Sequence, residues 1–245
     1  MKNFHKKLLS LMFASLTIFS ISITSFASDT NSFANMQYNS ANYDEQILDI
    51  LDDTLITELQ TLIDTEMSKN PTVSEDELNI KIMNCIEEKY FSLQGTYSGS
   101  LPQSQKGLNN AEKKLYLSNP VRGTFALSCG LTASLAANSL FSSSVLYLGN
   151  GDAFRHAYWC GLITNGYGAS YAKQWGNAHE STTPAGLDKT MDLKNNQSGI
   201  NIASKIKGPY FEARFQKELL SQIKNGKLVR IVNNKLVATN GTGRK

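Results

Sequence analysis

Apolar residues recur three and four positions apart through most of this 245-residue chain, the spacing that lines one face of an α-helix. Alternation with a period of two occurs in one place, around Val232-Asn233-Asn234 near the C-terminus. Helices that each present an apolar stripe must bury those stripes against one another. The expected fold is therefore mainly α: a helical bundle-like C-terminal domain with a terminal β-hairpin, preceded by an N-terminal helical hairpin.

Punctuation divides the chain further. Ile47, Leu48, Leu51, Leu55, Leu59, Leu62, Ile63 and Met67 predict a helix running from about Tyr43, with Pro71 beyond its end. Ser74-Glu75-Asp76-Glu77 is a capping-box pattern opening a second helix through Tyr90. Residues 43–93 thus form an acidic helical hairpin, whose stripes can pack on each other, on the rest of the chain, or on a protein or cell-envelope partner. Residues 94–107, rich in Gly, Ser, Pro and Gln, read as a linker. Residues 108–240 make the second domain. Its expected helices are Asn110–Ser118, one capped by Asn119 and begun by Pro120, then Asp152–Asn165, Ser170–Glu180, Asp188–Ile206 and Pro209–Lys224. Lys227–Ile231 and Lys235–Thr239 are the strands of the hairpin.

Residues 1–27 read as a secretory signal peptide. Lys2, Lys6 and Lys7 precede an uncharged run from Leu8 to Ile23, and Ser25-Phe26-Ala27 offers a cleavage pattern. The expectation is a secreted, extracellular protein with no membrane span after cleavage, and a disordered polar leader over residues 28–42. Three of the 24 basic residues leave with the signal, so 21 basic groups balance 21 acidic ones. A neutral chain carries no clear nucleic-acid footprint. Cys85, Cys129 and Cys160 lie in apolar helical patterns at wide spacing, which reads as buried free thiols.

Beyond the signal the chain holds two histidines, and both fall in Gly151–Glu180. His156 lies in Asp152-Ala153-Phe154-Arg155-His156-Ala157-Tyr158-Trp159, and His179 precedes Glu180. On a helix Asp152 and His156 share a face, as do Arg155 and Trp159. Asp152 either holds the imidazole or caps the helix start. A third cluster, Met191-Asp192-Leu193-Lys194-Asn195-Asn196, places two asparagines in succession within a helix, where asparagine is disfavoured.

These three segments, DAFRHAYW, AHE and MDLKNN followed by Gly199, resemble a family of uncharacterised bacterial exported proteins, with related modules at the C-termini of toxin-like chains. The resemblance spans Leu108–Thr239 and leaves out the acidic hairpin. It implies a shared site at Arg155, His156, Trp159, His179, Glu180, Asp192 and Asn196, without implying a reaction.

Two functions follow as expectations. In the first the protein is a hydrolase, with a phosphodiester or a cell-envelope component as its expected substrate. His156 or His179 would move the proton, Glu180 or Asp192 would partner it, and Arg155 would stabilise an anion. Trp159, Asn195 and Asn196 would bind substrate. A metal-assisted form would use His156, His179, Glu180 and Asp192 to hold zinc or manganese. In the second the chain is a non-catalytic interaction module whose His, Arg, Asp and Glu groups form a structural polar network.

Overall fold

The computed structural model of the protein describes residues 50–94 and 107–245. The expected signal peptide, leader and most of the linker lie outside the described residues. Among the described residues, eight α-helices are followed by one two-stranded antiparallel sheet, a mainly helical fold with a terminal hairpin, as the patterning predicts.

Helices α1 (Asp53–Lys69) and α2 (Glu75–Gln94) form the N-terminal hairpin. Asp52 caps α1 by accepting from the Leu55 amide, so this helix starts about ten residues later than its apolar spacing suggests. Ile50 and Leu51 are buried but precede it. Before α2 the expected capping box forms: the Glu77 amide donates to Ser74 Oγ, and the Ser74 amide donates to Glu77 Oε2. Most of the apolar stripes of α1 and α2 is covered, although Ile80 of α2 is half exposed. Leu55, Leu59, Ile63, Ile82 and Ile86 are buried in the same core as the rest of the chain.

Helix α3 (Asn110–Ser118) leads into α4 (Pro120–Leu140), with Asn119 accepting from the Arg122 amide and Pro120 at the first turn. A short 3-10 turn, Ser143–Val145, precedes α5 (Asn150–Tyr167). Next come α6 (Ala169–His179), α7 (Leu187–Ala203) and α8 (Phe211–Lys224). The central element is α5, packed by α4, α6, α7 and α8 and touched by β1 of the hairpin. That explains its composition: a helix apolar on nearly all sides is one buried on nearly all sides.

Small residues set the distances to its neighbours. A Cβ on Gly199 of α7 would lie 1.9 Å from the Ala157 carbonyl oxygen of α5, so these two helices touch backbone to backbone. A Cβ on Gly161 would lie 2.0 Å from the Phe215 ring of α8. The continuous helix through Gly199 means that Asn195–Gly199 is not a frayed turn. Among the described residues no helix is long and apolar enough to cross a membrane.

Strands β1 (Val229–Val232) and β2 (Lys235–Ala238) pair with Val232 opposite Lys235. The intervening Asn233 and Asn234 have φ of 48° and 57°. Left-handed conformations at both central residues match the right-handed twist of the strands, and asparagine tolerates them.

Candidate functional site

The site forms where the first turns of α5 meet the middle of α7, beside the C-terminal end of α6. Gly149, in extended backbone, is the N-cap of α5, so Asp152 sits in the first turn instead of capping it. Asp152 Oδ2 accepts from the Leu148 amide at 2.7 Å and so steadies the chain just before the helix. Its Oδ1 faces the other way and accepts from Arg155 Nη2 at 2.6 Å. The reading of Asp152 as the helix cap is corrected, because Gly149 takes that position; one carboxylate oxygen holds the chain before the helix and the other faces Arg155 and His156.

His156, four residues on, is 2 % exposed. Its Nε2 lies 3.6 Å from Asp152 Oδ1 and 3.3 Å from Asp192 Oδ1, the latter delivered by α7. Arg155 Nη2 is 2.7 Å from the same nitrogen. A guanidinium only donates, so Nε2 is the acceptor and the ring proton is on Nδ1. Burial, then the charges of Arg155 and His179, hold the imidazole well below its ordinary value, and it is neutral. Burial and the carboxylates of Asp152 and Glu180 push Asp192 up to about 7, against the pull of Arg155.

Four atoms of this cluster are buried without a hydrogen-bond partner: His156 Nδ1, Asp192 Oδ1 and both amide atoms of Asn196. Asn196 lies one turn beyond Asp192 on α7, next to the His156 ring, with its amide close to where a Gly176 side chain would begin. Buried polar atoms are paired in the great majority of cases, and each left bare costs about 1–3 kcal/mol. Four lie together here.

His179 ends α6 and is half-buried. It was expected beside His156, and the ring centroids are 6.0 Å apart. Its Nδ1 donates at 2.8 Å to Glu112 Oε1 of α3. This hydrogen bond, opposed by burial, raises His179 above its ordinary value. The same Glu112 accepts from the Asn109 amide, closing a capping box in which Asn109 Oδ1 accepts from the Ala111 and Glu112 amides. Asn109 Nδ2 donates to the Ala178 and His179 carbonyls, at 2.9 and 3.2 Å. The start of α3 therefore clamps the end of α6.

The residues expected at the site separate into three groups. Arg155, His156, Asp192 and Asn196 come together. Of the four proposed metal ligands, His156 and Asp192 converge, but the third ligand group within 4.8 Å is Asp152, not Glu180, and His179 is bound to Glu112 instead. Glu180 is buried alongside and acts on the cluster through its charge. Trp159 and Asn195 have other partners. Trp159 Nε1 donates to the Ala126 carbonyl at 2.9 Å, and its ring meets His179 edge-on at 5.2 Å, forming the wall against which that imidazole stands. Asn195 pairs both ways with Val229, donating to its carbonyl and accepting from its amide, and so fastens the β-hairpin to α7.

Sequence reasoning missed Glu112 and Asn109, although Asn-x-x-Glu before an apolar run is a capping-box pattern. Cys160, on the same helix, is a buried thiol that burial pushes far up, which makes it a poor nucleophile. Cys129 is likewise buried and free, and Cys85 is half-buried.

No curated protein and no solved structure matches the chain. Residues 113–227 match the model of a domain of unknown function, DUF6973, and the matched stretch takes in α4 to α8 with every cluster residue on α5, α6 and α7.

Proposed function

We propose that this protein is a secreted hydrolase whose reacting centre lies against Asp152, His156, Asp192 and Asn196. The observation that carries the reading is the set of four buried, unpartnered polar atoms beside a half-exposed histidine that a carboxylate holds. His179 is built as a proton-transfer group. Glu112 fixes its Nδ1–H, Trp159 fixes its plane, and Nε2 is left for a substrate atom. Arg155 is one-third exposed and supplies a positive charge at the mouth, which suits a substrate carrying a phosphodiester. Such an activity fits a cell-envelope or phospholipid substrate and the toxin-like modules that the motifs resemble. A protein or cell-envelope partner of the N-terminal hairpin would meet its outward polar face, since most of the apolar one is covered.

The test is turnover of bis(p-nitrophenyl) phosphate, phospholipid vesicles and purified peptidoglycan by the tag-free protein and its variants. His179→Ala is expected to lower turnover about 100-fold or more with the fold intact. Turnover of none of the three, or turnover unchanged in both His156→Ala and His179→Ala, would overturn the reading.

A second reading is supported by Arg155, which already bridges Asp152 and His156. In it the cluster is a structural network of a non-catalytic module, and His156→Ala then lowers the melting temperature sharply while no substrate is turned over.

A further inference from the structure

Asp152, His156 and Asp192 each bring one potential ligand atom within 4.8 Å of the others, with His156 Nε2 3.6 Å from Asp152 Oδ1 and 3.3 Å from Asp192 Oδ1. Lone pairs that face each other in a buried place repel unless a proton donor or a cation stands between them. Arg155 Nη2 stands against two of the three, at 2.6 Å from Asp152 Oδ1 and 2.7 Å from His156 Nε2. Asp192 Oδ1 faces His156 Nε2 at 3.3 Å and accepts no hydrogen bond. One guanidinium nitrogen has two hydrogens, so it cannot also serve the third acceptor.

We propose that Asp152, His156 and Asp192 form a binding site for a divalent transition-metal ion of the zinc or manganese kind, with Arg155 holding its place until the ion displaces it. The ligand separations fit. Bonds of about 2.0–2.1 Å to a tetrahedral zinc put neighbouring ligand atoms about 3.3 Å apart. The two separations involving His156 Nε2 are 3.3 and 3.6 Å. One nitrogen and two carboxylate oxygens suit zinc or manganese better than calcium, which takes oxygen ligands in larger number. Three protein ligands leave a position open, as a catalytic centre requires.

The surroundings are those of a ligand shell. The proton on His156 Nδ1 directs Nε2 to the ion, and Asn196, buried and close enough to the ring to act on it as a hydrogen-bonding group, is placed to orient it. Asp152 Oδ2 is fixed by the Leu148 amide, which aims Oδ1. Arg155 is partly exposed and can swing outward, where its charge serves an anionic substrate. Metal binding needs no turnover, so the site stands independently of the hydrolytic reading.

The experiment is calorimetric titration of the tag-free, chelator-stripped protein with zinc chloride and with manganese chloride. One ion per chain is expected. Asp192→Asn, which keeps the shape of the side chain, and His156→Ala each weaken binding at least about tenfold, and Asn196→Ala weakens it about 10- to 100-fold. Arg155→Ala tightens it, because the resident cation is gone. Circular dichroism verifies the fold of each variant, and the gain in Arg155→Ala remains decisive if His156→Ala fails to fold. No saturable binding of either ion below about 1 mM, or binding that none of these variants alters, overturns the proposal. Saturable binding without turnover keeps the metal site and removes the hydrolase. Turnover with no saturable binding of either ion does the reverse.

Discussion

His179 is where a single side chain decides most. Its partner Glu112 comes from α3, 67 residues earlier, while Glu180 adds negative charge and Arg155 and the His156 ring stand opposite. Glu112→Gln removes the largest cause of the raised value, so the His179 resonance is expected to titrate at lower pH in that variant, as followed by NMR. The stability consequence has a definite sign. A histidine raised above its ordinary 6.5 binds its proton more tightly folded than unfolded. Its contribution is complete below about 6.5 and fades as pH rises through the folded value. Melting temperatures of native protein and Glu112→Gln should therefore differ most on the acid side and draw together as pH rises through the folded value. Equal differences at every pH would contradict this. The importance of His179 was legible in the sequence, because histidine is so scarce there. Its partner was not, because spacing arguments reach one or two helical turns and Glu112 lies on another helix.

Pairs of elements carry the next set of consequences. The contact of Gly199 with Ala157 leaves no space for a methyl group, so Gly199→Ala must force α5 and α7 apart. Overpacking of this kind costs about 1–3 kcal/mol or more, and a urea titration should show the midpoint falling accordingly. Asn195→Ala leaves the Val229 amide and carbonyl unpaired, at a cost of about 1–3 kcal/mol. Hydrogen exchange should show protection lost first in Val229–Ala238, and unchanged exchange there would remove this role for Asn195. Here the sequence was half informative. Two asparagines in succession within a helix signalled a special environment, correctly, but Asn196 faces the cluster while Asn195 faces a strand. One residue of offset on a helix is a rotation of about 100°, and nothing local states which side the hairpin will occupy. The hairpin was readable because its asparagine turn is a local matter, and its register follows from the turn. The start of α1 was misplaced because apolar spacing continues through Ile50 and Leu51, which are buried without being helical; the Asp52 cap, not the spacing, marks the boundary.

Over the whole molecule, the N-terminal hairpin is joined to the rest by specific polar contacts as well as by its apolar face. Asn79 of α2 accepts from the buried Val121 amide at 3.0 Å, satisfying a donor that the first turn of α4 leaves free. Glu75 accepts from Asn119 and from Arg122, whose guanidinium lies 5.0 Å from the Tyr167 ring centre. Asn79→Ala is therefore expected to lower the melting temperature of the entire chain. Tryptophan fluorescence reports this, because Trp159 and Trp175 both lie outside the hairpin. If the fluorescence transition stays in place while the circular dichroism shifts, the hairpin unfolds by itself and the coupling is wrong. The amphipathic stripes announced that α1 and α2 would be covered, but an amphipathic face does not name its cover. The backbone contact at Gly199 has a wider effect. It sets the gap between the helix of Asp152 and His156 and the helix of Asp192 and Asn196 by peptide groups, which have no rotamers to change. Variation among the large side chains of the core can then alter how firmly the molecule holds together without altering how far apart its converging groups stand. A lineage carrying this contact is free to drift in its interior and keep the same binding geometry.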